Sequence, residues 1–153
     1  MEEVRLARVE DIEQLVQLRI DFLKDEFGLS CDQEAQLRIR LNNYFNRSFI
    51  TDSLVAVFVF DKNRVVSTAY LSIQERPSNH LSINGLYGTL LNVFTYPAYR
   101  RLGYATKAVS RIIEEAQNKE ISIIELSATA DGLDVYRKLG FKEIDYTAMR
   151  LKL

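Results

Sequence analysis

A mixed α/β (α+β) fold of six or seven strands and about four helices is predicted by three features of the sequence. Two apolar runs, 54–60 and 65–73, flank the turn residues DKNR, which is a hairpin signature. Residues 105–117 carry one clean apolar stripe at helical spacing. The order also matters: hairpin-forming strands come first, and a strand, helix, strand crossover follows.

Each element has a local cause. Val4 to Arg8 alternates apolar with charged residues and predicts a strand. Glu10 and Asp11 then place negative charge where a helix begins, and Ile12, Leu15, Val16, Phe22, Leu23 and Phe27 continue it to a stop at Gly28. A second helix is expected over Asp32 to Arg47, with Ala35, Leu37, Ile39, Leu41, Tyr44 and Phe45 on a less regular face. After the hairpin, Glu75 to Gly85 is a polar loop, Leu86 to Thr95 a strand, and Pro97 its end. The helix from Ala105 to Gln117 buries Ala105, Ala108, Val109, Ile112, Ile113 and Ala116. Ile121 to Ser127 reads as a buried strand and Asp131 to Leu139 as a short helix closed by Gly140. The tail from Phe141 to Leu153 supplies one or two final strands.

Composition narrows the function classes. A chain of 153 residues, 47% hydrophobic and 27% charged, fits one domain over 1–153. Such a chain buries about two thirds of its unfolded surface, enough for a core without staples. Cys31 is alone, so no internal disulfide forms, and no Cys/His cluster points to a metal. A net charge of −1 gives no reason to expect nucleic acid or an anionic membrane as partner. With no long apolar run and an acidic start, MEEVRLARVED, the expected location is the cytoplasm.

The chemistry is concentrated in LLNVFTYPAYRRLGYATKAV, Leu90 to Val109. Between a strand and a helix it sets Arg100, Arg101, Leu102, Gly103, Tyr104 and Ala105. Gly103 lets backbone approach a ligand closely, free N–H groups at the helix start form an anion site, and the two arginines add charged donors. The bland alternative is a solvated turn with surface arginines. The stretch lacks the Lys-Ser/Thr ending of a Walker loop and the third glycine of a dinucleotide fingerprint.

PAYRRLGYATKAV resembles the signature of the GNAT superfamily of N-acetyltransferases, with Arg100, Gly103 and Ala105 at the three positions that cradle the acetyl-CoA diphosphate. VYRKLGF, Val135 to Phe141, resembles the family's later Tyr-bearing helix and Gly-Phe turn. The resemblance implies a mostly antiparallel sheet splayed at a cofactor cleft. It implies that Val93 and Thr95 pair with the pantetheine arm, that the amides of Arg101, Leu102, Gly103, Tyr104, Ala105 and Thr106 hold the diphosphate, and that Tyr136 protonates the departing thiolate. The implied reaction is acetyl transfer from acetyl-CoA, as cosubstrate and without a metal, to an amine of a small molecule or peptide, in a monomer or homodimer. The family's carboxylate on the central strand is replaced by Asn92, which accepts no proton at neutral pH, and Thr129 and Gly132 stand where relatives often have Asn and Ala.

Glu75 and Asp131 are candidates to end a water chain, and neither is assigned as base. His80 and Ser110 have no catalytic neighbours in sequence, and Cys31 at a helix start lacks a His partner. Two other readings stand beside the transferase: a non-catalytic acyl-CoA binding or sensing domain, and a nucleotide-binding α/β domain that lacks its fingerprints.

Overall fold

The computed structural model describes residues 2–153, and in it five strands form one sheet in the order β1-β2-β3-β4-β5. The strands are β1 (Glu2–Leu6), β2 (Leu54–Asp61), β3 (Arg64–Glu75), β4 (Leu86–Thr95) and β5 (Ile123–Glu125). The helices are α1 (Ile12–Phe27), α2 (Cys31–Thr51), α3 (Tyr104–Asn118) and α4 (Leu133–Lys138). All neighbouring strands run antiparallel except β4 and β5, which are parallel across the α3 crossover.

Lys62 and Asn63 both take positive φ, 48° and 67°, and close the β2–β3 hairpin as a two-residue turn whose twist suits its strands. β2 is buried on both faces because helices cover both. Val55, Val57 and Val59 meet Val109 and Ile112 of α3, while Ala56 and Phe58 meet Leu15, Leu18 and Phe45 of α1 and α2. The hydroxyl of Tyr70 donates to the Leu15 carbonyl at 2.8 Å, tying β3 to α1.

Several boundaries differ from expectation for local reasons. α2 starts in a capping box, with Gln33 N–H donating to Ser30 Oγ at 3.2 Å and Ser30 N–H to Gln33 Oε1 at 3.0 Å. It runs beyond Arg47 to a left-handed stop at Asp52, and on the way Ser48 and Thr51 satisfy their hydroxyls on the carbonyls of Tyr44 and Arg47. β5 is shorter than expected because Ile121 N–H bonds back to Ala116 at the end of α3. The largest correction concerns strand number. Residues 141–153 form no strand, since their backbone meets no ladder within the chain, and the described sheet has five strands rather than six or seven. No helix among the described residues is long and apolar enough to cross a membrane.

Candidate active site

Two departures from regular sheet meet on β4. The β4–β5 ladder covers only Tyr87↔Ile123, Gly88↔Ile124 and Thr89↔Glu125, so Leu90 to Thr95 face an opening where β5 would continue. Against β3, Tyr70 pairs with Leu91 and Thr68 with Phe94, which puts Asn92 and Val93 opposite Ala69 alone. That extra residue is a β-bulge, and Asn92 takes φ 53°, a conformation Asn tolerates better than branched residues. Leu91 and Asn92 consequently both face α1 and α2, while Val93 turns toward α3.

Below the opening, the chain from Arg100 to Thr106 enters α3. Arg101 and Gly103 have φ of 62° and 85°, and an added Cβ on Gly103 would meet nothing within 4 Å, so its backbone faces free space. The first helical bond here is donated by Lys107 N–H to the Gly103 carbonyl. Among the described residues, the amides of Arg101 to Thr106 have no acceptor within the chain. Six consecutive unpaired donors at the positive end of a 15-residue helix form an anion cradle.

The cradle opens into a cleft of about 610 Å³ lined by Arg101, Gly103, Ala105, Thr106, Asp134 and Lys138, among others. A second cavity of about 230 Å³ joins it at Thr95, Arg100, Ala105, Asp131 and Val135 and continues to Val93, Thr129 and Tyr136. The structure thus gathers Val93, Thr95, Arg100, Arg101, Gly103, Tyr104, Ala105, Thr106 and Tyr136 along one channel. Two expected residues contribute backbone only. The Leu102 side chain lies exposed and lines neither cavity, and the Tyr104 ring is buried against Tyr99 and the core.

The Arg100 side chain is already engaged: its Nη2 donates to Asp25 Oδ2 at 2.6 Å and its Nε to the Thr95 carbonyl at 3.0 Å. It therefore clamps α1 to the end of β4, and Arg101 is the cradle arginine without such a partner. Tyr136 is half-buried, with its ring edge-to-face on Phe141 at 5.8 Å. Burial raises its pKa, which keeps the phenol protonated at neutral pH and able to give up a proton.

Sequence reasoning missed Phe22 and Asp25, which bring α1 to the channel wall, and it missed Arg19. The half-buried Arg19 donates to Asn92 Oδ1 at 3.3 Å and stacks 5.5 Å from the Phe22 ring centre. It pairs with no carboxylate among the described residues, and burial lowers its pKa. These contacts join positions over 70 residues apart, so no local pattern announces them. Glu75 stands opposite Leu86 at the far end of the β3–β4 ladder, seven residues along from Val93 and roughly 24 Å away by strand rise. It lines neither cavity of the channel, whereas Asp131 lines both. His80 and Cys31 are exposed and also outside the channel.

A family model for the acetyltransferase (GNAT) family matches residues 13–141. The chain is 37% identical over 60 residues to an uncharacterized N-acetyltransferase, ycf52, of Porphyra purpurea, and 35% identical over 60 residues to its counterpart in Pyropia yezoensis. Those stretches are 39% of this chain and 34% of each of those proteins, so the match spans about a third of these relatives. Across nearly full length, the chain superposes on a predicted acetyltransferase with acetyl-CoA from Clostridium acetobutylicum, with a TM-score of 0.86 and 30% identity over 98% of this chain and 96% of that one. A GCN5-related N-acetyltransferase from Ralstonia eutropha shares the fold at a TM-score of 0.83 and 17% identity, covering 99% of both chains. On the match over residues 13–141 and the near-complete likeness to the Clostridium protein, the chain belongs to the GNAT family of acetyltransferases.

Proposed function

We propose that the protein is an acetyl-CoA-dependent N-acetyltransferase that acts by direct attack of a primary amine of a small molecule or peptide. The observation that carries this reading is the channel itself: six unpaired amides at one end, the unladdered edge of β4 along its side, and Tyr136 beside Val93. Residues 1–153 act as one domain in the cytoplasm, with no metal and no nucleic acid.

The residues present fit acetyl-CoA. The amides of Arg101 to Thr106 would hold the diphosphate, with charge from Arg101, and the backbone of Val93 and Thr95 would pair with the pantetheine arm like an added strand. Acetyl-CoA supplies the activated acyl group. The Val93 amide lies at the bulge, where it would donate to oxygen charge developing on the acetyl carbonyl. Tyr136, kept neutral by burial, would return a proton to the thiolate as it leaves. Attack forms the new C–N bond and breaks the C–S bond; the amine proton passes to solvent water, the sulfur takes a proton from the phenol, and the phenolate regains one from water.

The test is acetyl-CoA titration by calorimetry and thiol release with a panel of neutral, cationic and carboxylate-bearing amines. Saturable binding and turnover of at least one amine are expected. Gly103→Val places a branched side chain over the cradle in a backbone conformation that valine tolerates poorly, and it should abolish acetyl-CoA binding, with far-ultraviolet circular dichroism and melting checking that the fold survives. Unchanged affinity would overturn the cradle. Asn92, which cannot take a proton, favours one second reading, a non-catalytic acyl-CoA sensor, and binding without turnover across the whole panel would select it.

A further inference from the structure

We propose that Arg19 and Asn92 form a carboxylate-binding subsite for the acceptor, so that the amine acetylated is one carried by a small amino acid, a proposal that rests on the transferase reading above. The first sign is an unmet donor. Asn92 is 3% exposed, and its Nδ2 reaches no acceptor among the described residues. A buried amide N–H in that state destabilises the fold until something supplies an acceptor. Turning the amide round does not cure it. Its Oδ1 accepts from Arg19 Nη1 at 3.3 Å, and a guanidinium only donates, so the flipped orientation sets donor against donor.

Arg19 has the complementary deficit. It is half-buried, and among the described residues it pairs with no carboxylate and makes no hydrogen bond except the one to Asn92. The titratable groups that act on its charge are the phenols of Tyr44 and Tyr70, and the Tyr70 hydroxyl is already given to the Leu15 carbonyl. Every free polar atom of the pair is therefore a donor, and one group is a cation. A carboxylate answers both needs, with one oxygen on the guanidinium fork and the other on Nδ2. A neutral carbonyl fills one donor and leaves the half-buried charge unmatched.

The pair stands beside the acetyl end of the channel. Asn92 precedes Val93 in the bulge, and Arg19 lies one helical turn before Phe22, whose ring centre is 5.5 Å from its guanidinium. Phe22 and Val93 both line the cavity of about 230 Å³ that also holds Tyr136. Arg19 and Asn92 lie on the α1 side of the sheet, whereas the amide cradle opens on the side of α3 and α4. An amine that comes in from the α1 side and passes the Phe22 ring to reach Val93 lays the rest of a short molecule against the pair. The bulge brings this about, because it turns a side-chain amide toward α1 at the residue next to the Val93 amide.

Thiol release is measured with α-, β- and γ-amino acids, each beside its primary amide, and with phosphoethanolamine. The amides hold more free amine at a given pH, so a preference for the acids reports recognition rather than basicity. At least one amino acid should exceed its amide in kcat/KM by about ten- to a hundredfold, with the difference in KM. Arg19→Met keeps a long apolar side chain against Phe22, and Asn92→Asp gives Arg19 an internal carboxylate at a φ that Asp also tolerates. Each should raise KM for the acid by about the same factor and spare KM for the amide, with acetyl-CoA affinity by calorimetry unchanged. Turnover of acids and amides with equal KM would overturn the subsite and leave the transferase standing. So would variants without effect, or phosphoethanolamine preferred over every carboxylate. If acetyl-CoA binds and no amine reacts, the transferase reading falls, and melting in the presence of CoA decides the subsite alone. Stabilisation by N-acetyl amino acids, absent with their amides and in Arg19→Met, supports a carboxylate site, and no such difference refutes it.

Discussion

The two halves of the sheet are built from similar residues and behave differently. β2 and β3 pair from Leu54↔Ser72 to Asp61↔Arg64, with helices on both faces, whereas β4 and β5 hold each other through three residue pairs and then part. In the first half the β2–β3 ladder runs through eight residue pairs with a single bulge between Val59 and Phe60. In the second, the free groups fall along the upper part of β4, along the outer edge of β5, and in the turn entering α3. The channel here is the part of a sheet where pairing stops, held open by a part where pairing continues along the strands.

If the hairpin half bears the stability, Phe58→Ala should be the most damaging change, lowering unfolding free energy by about 3–5 kcal/mol, because the ring is fully buried between β2 and α1. Chemical denaturation measures it, and a loss under about 1 kcal/mol would mean that the two halves share the load. Tyr136→Phe belongs to the open half and should leave the melting temperature nearly unchanged while lowering kcat by about 10². The sign of its pH effect follows from the raised pKa: the phenol is the active form below that value, so any loss of rate lies above the ordinary tyrosine range. The phenylalanine variant should lack that alkaline limb, and a rate equal to the parent's would remove Tyr136 from the mechanism.

Asp11 sharpens the contrast from the acid side. Arg5 donates to it at 2.7 and 3.0 Å and the Arg8 amide at 2.8 Å, holding its carboxyl below the ordinary range. Its stabilisation is present above the unfolded value of about 3.9 and is lost as pH falls through the lowered folded value. Asp11→Asn should cost ~1 kcal/mol at neutral pH and flatten the acid limb of the stability curve, with acetyl-CoA affinity unchanged. The smallest effect is expected for Lys119→Ala. Its ion pair with Asp52 at 2.7 Å is largely exposed, and melting should register no more than about 0.5 kcal/mol.

Legibility in the sequence divides along the same line. The β2–β3 hairpin was readable because DKNR specifies its own turn, and α3 because its stripe is local. The cradle residues were readable by resemblance, since they lie in one continuous stretch. The bulge at Asn92, the Arg100–Asp25 clamp and the Arg19–Asn92 contact were not, because each depends on elements brought together only by folding. The tail shows the opposite error. Its alternation reads as a strand, yet none forms there, because alternation says nothing about whether the chain provides a neighbouring ladder.

The bulge also acts as a phase shift. Side chains along a strand alternate with period two, so removing the one additional residue would rotate everything downstream by half a cycle. Phe94 and Tyr96, which now meet Phe22 and Asp21 of α1, would swing to the α3 layer, and Val93 and Thr95 would leave the channel wall. A deletion of one amino acid at this point would thus exchange the inside and outside of the channel-lining edge without altering any residue that lines it.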